Sequence, residues 1–162
     1  MNKIYWDLDG VLRNVSKTYI GFIPPEWNYV NEKGKTITDL IEENPKLLAT
    51  AKPLNYIKVA LKFPFITILT VQRKSWIPYT EKWLEKYLSG ISYDVQYLNS
   101  FNEKLDIVGS SGFLIDDCPV LNDYSRIILV EYQYNIHVKS RFRVKYLNEL
   151  EFLLDYINRG II

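Results

Sequence analysis

A series of short apolar runs, each ending in a polar residue, constrains this chain more than any other feature. Lys3-Ile4-Tyr5-Trp6 ends at Asp7, Phe65 to Leu69 ends at Thr70, Phe113-Leu114-Ile115 ends at Asp116, and Arg126 to Val130 ends at Glu131. Tyr93 to Leu98 is a further candidate of weaker pattern. The runs are rich in β-branched and aromatic residues and apolar on both faces. Strands read this way when helices cover both sides of a parallel sheet. Helical segments fall between them. Asn55 to Lys62 is bracketed by Pro53 and Pro64. Pro78 opens a segment whose Trp83, Leu84, Tyr87 and Leu88 form a stripe that Gly90 stops. Leu147, Leu150, Leu154 and Ile157 recur at helical spacing before Gly160. Strand–helix alternation predicts an α/β fold, a doubly wound Rossmann-like parallel sheet with helices on both faces. Ligands bind beyond the carboxyl ends of such strands. Asp7, Thr70 and Asp116 are therefore candidates for one site.

About fifty residues between the first two strong strands fit the sheet poorly. They hold Pro24-Pro25, Trp27, Tyr29, Gly34 and a helical candidate from Thr38 to Asn44. We read residues 13–53 as a small cap inserted after the first strand, with residues 1–12 and 54–162 forming the core.

Composition narrows the chemistry. The 162 residues include one cysteine, Cys118, and one histidine, His137, which excludes a disulfide framework and the usual zinc sites. Lys plus Arg is 20 against 19 Asp plus Glu, a formal charge of +1, so no overall charge grips nucleic acid or anionic membrane. Oxygen ligands are plentiful and suit hard cations such as magnesium. Asp7 comes too early for a leader's apolar core, and no run reaches membrane-spanning length. With the lone thiol, these features lead us to expect a cytoplasmic protein.

Four motifs carry chemistry. Asp7-Leu8-Asp9-Gly10-Val11-Leu12 sets two carboxylates one residue apart before a glycine that permits a sharp turn. One acid can attack phosphorus while the other handles a proton. The same spacing occurs in solvated turns and calcium loops. A calcium loop needs an acid at its twelfth position, which here is Thr18. Asp116-Asp117 ends an apolar run, where a cation would relieve adjacent acids, although an Asp turn closed by Pro119 also fits. Lys104 lies twelve positions before Asp116 and suits a phosphate, or simply solvent. Thr70, with the N–H of Val71, can hold phosphate oxygens or merely end a strand.

Taken in order, Asp7-x-Asp9-Gly10-Val11, Thr70, Lys104 and Asp116-Asp117 resemble the four motifs of the haloacid dehalogenase-like phosphohydrolase superfamily, over residues 3–123. The resemblance implies a two-step phosphoryl transfer. Asp7 would form an aspartyl-phosphate. Asp9 would protonate the leaving oxygen and then activate water. Thr70, Val71 and Lys104 would bind phosphoryl oxygens. Magnesium would be held by Asp7, the Asp9 carbonyl and Asp116, with Asp117 close by or binding through water. The Asp-Gly-Val-Leu continuation and the position of the cap are similar to the 5′(3′)-deoxyribonucleotidase group, which implies a nucleotidase acting on (deoxy)nucleoside monophosphates. Gly109-Ser110-Ser111-Gly112 and Thr70-Val71-Gln72-Arg73 depart from that group.

Cap aromatics Tyr19, Phe22, Trp27 and Tyr29 could stack on a base or form the cap's own core. Lys139, Arg141, Arg143 and Lys145 alternate with Phe142, Val144 and Tyr146, which would put four cations on one face of a strand. That face could hold a nucleic acid, making the protein a nucleic-acid 3′-phosphatase. It also reads, and reads better at this near-even charge balance, as a solvated edge that discourages aggregation. A catalytically silent phosphate- or protein-binding module is the remaining alternative. His137 and Cys118 read as structural residues.

Overall fold

Residue alternation along the strands accounts for the architecture. In the computed structural model, which describes residues 2–162, six strands form one all-parallel sheet. They are β1 (Lys3–Trp6), β2 (Phe65–Val71), β3 (Ser92–Leu98), β4 (Gly112–Asp116), β5 (Ile127–Val130) and β6 (Phe142–Val144), in the order β3-β2-β1-β4-β5-β6. Trp6, Ile66, Ile68, Phe113, Ile115 and Ile128 face one apolar cluster. Their neighbours Tyr5, Leu69, Leu114, Ile127 and Leu129 face another. Both sheet faces are thus buried, as the runs required.

Helices α3 (Ile57–Ala60), α4 (Ile77–Leu88) and α6 (Leu147–Asn158) cover the first face with Val59, Trp83, Leu84, Leu150 and Leu154. Helix α5 (Glu103–Val108) covers the second through Leu105 and Val108. The segment expected as a helix over 55–62 is helical only over Ile57–Ala60, with turns on either side. Among the described residues, no helix is long and apolar enough to cross a membrane.

Strand order reverses at β1, so β1 and β4 are the topological switch point where a sheet of this kind leaves a crevice. Between β1 and α3 lie α1 (Val15–Ile20), α2 (Ile37–Glu43) and a 3₁₀ turn, Pro45–Thr50. Val15, Ile41 and Leu48 form a small cluster of their own, joined by Trp76 at the start of α4. Both ends of this stretch are tied together: Asn14 N–H donates to Lys52 O, and Leu54 N–H donates to Leu12 O.

The expected four-cation strand face does not form. Of Lys139, Arg141, Arg143 and Lys145, only Arg143 lies within β6, which is three residues long. Arg143 is turned to the protein, donating to the carbonyls of Asn135 and Val138 and to Glu131. Buried Phe142 and Val144 fix that register, and Ser140 bends the chain before it by donating to Ile127 O and Phe142 O.

Candidate active site

The parallel ladder runs one residue past β1, where Asp7 N–H donates to Ile115 O at 2.9 Å. That places Asp7 beside Asp116, the last residue of β4. Lys104, from the first turn of α5, joins the two carboxylates. Its Nζ donates to Asp7 Oδ1 and to Asp116 Oδ2, each at 2.7 Å. The lysine is 1% exposed. Burial disfavours its charge, but Asp116 and Asp7 outweigh that and hold its pKa above the ordinary value. Asp116 also accepts from Cys118 N–H, and Cys118 itself packs in the core.

Asp117 sits against Gly10. The glycine has φ +91°, and a Cβ there would lie 2.2 Å from Asp117 Oδ2. Only glycine satisfies both the backbone and the space. Tyr134 O–H donates to Asp117 Oδ2, Tyr132 O–H donates to Gly10 O, and Asn135 Nδ2 donates to Asp117 O and Val130 O. Burial, reinforced by Asp116, pushes Asp117 up to about 7. Burial likewise raises Asp7 well above the usual carboxylate range; Lys104 opposes this, and Asp116 and Asp117 add to it.

One oxygen from each of Asp7, Asp116 and Asp117 lies within 4.8 Å of the others, and all three residues are buried. Three carboxylates face a single ammonium, so full ionisation would leave the cluster with excess negative charge; burial and this repulsion are why Asp7 and Asp117 hold their protons more tightly than ordinary carboxyls. An all-oxygen donor set with excess charge suits a hard divalent cation.

Asp9 takes a different set of partners. Its side chain is not part of the three-carboxylate cluster. Arg13 Nε–H donates to Asp9 Oδ1 at 2.6 Å and Arg13 Nη2–H to Oδ2 at 3.0 Å. Gln72 Nε2 donates to the same Oδ2 at 2.8 Å and to Thr70 Oγ1 at 3.2 Å. Arg13, Gln72 and their neighbour Thr80 are all buried.

A cavity of about 400 Å³ opens over these groups. Asp7, Asp9, Thr70, Val71, Lys104 and Asp117 line its floor side, and Trp27, Tyr29, Ile37 and Ile41 contribute from the stretch between β1 and β2. Trp27 packs against Phe101 and Tyr134 at 5.8 and 5.5 Å between ring centroids. Tyr19 and Phe22 lie elsewhere. Tyr19 packs beside Val15 and Leu48 and donates to Asn44 O, while Phe22 is exposed and meets Tyr29 edge-on. Sequence reasoning passed over Arg13, Tyr132, Tyr134 and Thr80. The tyrosines follow β5 at alternate positions, a pattern that could have pointed to the strand's carboxyl end. Arg13 and Thr80 meet across 67 positions and gave no local signal.

No protein-family model matches the chain, and no curated protein matches it.

Proposed function

We propose that this chain is a magnesium-dependent phosphomonoesterase of the haloacid dehalogenase-like type, a nucleotidase that works through an aspartyl-phosphate on Asp7. One observation carries the reading. Lys104 holds one oxygen of Asp7 at the floor of a cavity that Asp9 and Thr70 also line. With Oδ1 engaged, Oδ2 is the oxygen left to attack phosphorus. The phosphorus–oxygen bond to the leaving group breaks with its electron pair on that oxygen, and Asp9 supplies the proton. Water then attacks the phosphorus of the aspartyl-phosphate, Asp9 takes the water proton, and the phosphorus–oxygen bond to Asp7 breaks, releasing inorganic phosphate and restoring the Asp7 carboxylate. The Thr70 hydroxyl, the Val71 N–H and the Lys104 ammonium are suited to the phosphoryl oxygens, whose charge is spread over three atoms. A magnesium ion held by Asp7, Asp116 and Asp117 would stabilise that charge further.

The lining of the cavity favours a mononucleotide over a nucleic-acid strand. Among the described residues lining the cavity, Lys104 is the one Lys, Arg or His, so no second phosphate finds a cation there. Trp27, Tyr29 and Phe101 offer flat apolar surface for a base instead. The test is a panel of phosphomonoesters with and without magnesium. Nucleoside monophosphates should be hydrolysed only with the metal, and Asp7→Asn should lower the rate by on the order of 10³-fold or more. Full activity in Asp7→Asn would refute the nucleophile assignment. A panel with no hydrolysis would favour the silent binding module.

A further inference from the structure

We propose that Arg13, Gln72 and Thr80 form a frame whose task is to position the Asp9 carboxyl group for proton transfer to the leaving group from Oδ1, which accepts one hydrogen bond against two at Oδ2. The inference rests on the phosphatase reading above. The frame is a closed ring of hydrogen bonds. Arg13 grips both Asp9 oxygens through its Nε–H and Nη2–H. Its Nη1–H donates to Thr80 Oγ1 at 3.1 Å. Thr80 Oγ1–H donates to Gln72 Oε1 at 3.0 Å, and Gln72 Nε2 returns to Asp9 Oδ2 at 2.8 Å. The members come from the turn after β1, the residue after β2 and the second half-turn of α4; Arg13 and Gln72 hold the carboxylate, and Thr80 ties the two together.

Two features distinguish this ring from ordinary core packing. Arg13 is fully buried (0% exposed), yet a buried ion pair is often no more stabilising than apolar residues of the same volume. The Asp9 side chain, by contrast, keeps 29% of its surface exposed and lines the cavity, which Arg13, Gln72 and Thr80 do not. The fork therefore holds Asp9 from the protein side and leaves it presented to the cavity. A bidentate guanidinium fixes the plane of a carboxylate as well as its place. Gln72 extends the same frame to Thr70, so the proton donor and a phosphoryl-binding hydroxyl are held in common register. The three residues touch no substrate atom; they act through Asp9.

The leaving group supplies the test. A phenolate departs without a proton, whereas an alkoxide needs one. Damage to acid placement therefore slows alkyl esters selectively. Arg13→Lys and Thr80→Val are made, and kcat/KM is measured with magnesium on a nucleoside 5′-monophosphate and on p-nitrophenyl phosphate. This ratio reports the step that forms the aspartyl-phosphate. Thr80→Val keeps the side chain's shape, and thermal unfolding confirms that each variant is folded. The alkyl ester should lose about 100-fold in Arg13→Lys and about 10-fold in Thr80→Val, and each loss should exceed that of the aryl ester by about 10-fold or about 3-fold. Equal losses on the two esters overturn the proposal and make the ring structural support. Unchanged rates on both also overturn it. If the unaltered protein cleaves neither ester, the phosphatase reading itself fails, and this proposal fails with it.

Discussion

Gly10 is where backbone and site chemistry are hardest to separate. Its φ of +91° is strained for any L side chain, and Asp117 occupies the space a Cβ would need. Gly10→Ala should therefore act twice, through the backbone and by driving Asp117 from its place beside Tyr134. We expect a loss of about 1–3 kcal/mol in denaturant unfolding and loss of the proposed magnesium-dependent hydrolysis. A variant with wild-type stability and rate would show that the turn can relax. Gly10 was legible in the sequence, because Asp-x-Asp-Gly already demanded a turn. Lys104 was legible only through its order relative to the acids. Taken alone, a lysine in Asn102-Glu103-Lys104 reads as solvated, and nothing local reveals that it lies 1% exposed between two carboxylates.

Strands and helices were legible for a physical reason: period and length are local properties. β4 and β5 are buried at every residue, and β1 and β2 towards their carboxyl ends, so their runs are nearly unbroken, and α4 and α6 carry one apolar stripe each. The alternation around Arg143 misled because an extended pattern does not say how long the strand is. The carbonyls of Asn135 and Val138 captured that side chain, and no local rule anticipates a partner set by the return of the chain. α6 supplies the element-scale prediction. Leu154 is 2% exposed in the cluster on the face of the sheet covered by α4, and α6 contributes no residue to the cavity. Leu154→Ala should cost about 2–5 kcal/mol in urea unfolding and leave KM unchanged below the transition. A shift in KM under native conditions would mean that α6 communicates with the site.

At the scale of the molecule, the fold gathers three acids from the carboxyl ends of β1 and β4 into one buried place, and the sheet's stability becomes linked to their charge. The parts of the site on strand ends were readable, because the doubly wound pattern predicts where such ends meet. The ring around Asp9 was not, because Arg13 and Thr80 become neighbours only once α4 packs on the sheet. The linkage has a definite sign. Burial pushes Asp117 up to about 7 from an ordinary 3.8, and burial raises Asp7 in the same sense. Between those values the folded state binds more protons than the unfolded chain, so the metal-free protein should lose stability as pH rises from about 4 to about 7. A divalent cation that binds only the folded state opposes this, adding about 2.7 kcal/mol at a concentration 100-fold above its Kd. In chelator, Tm should therefore fall across that window, and the fall should shrink in Asp117→Asn. With magnesium, Tm should rise more at the upper end of the window than at the lower, because protons compete with the ion for the same oxygens. A Tm in chelator that climbs with pH, or a magnesium shift independent of pH, would remove the three acids from the role assigned to them.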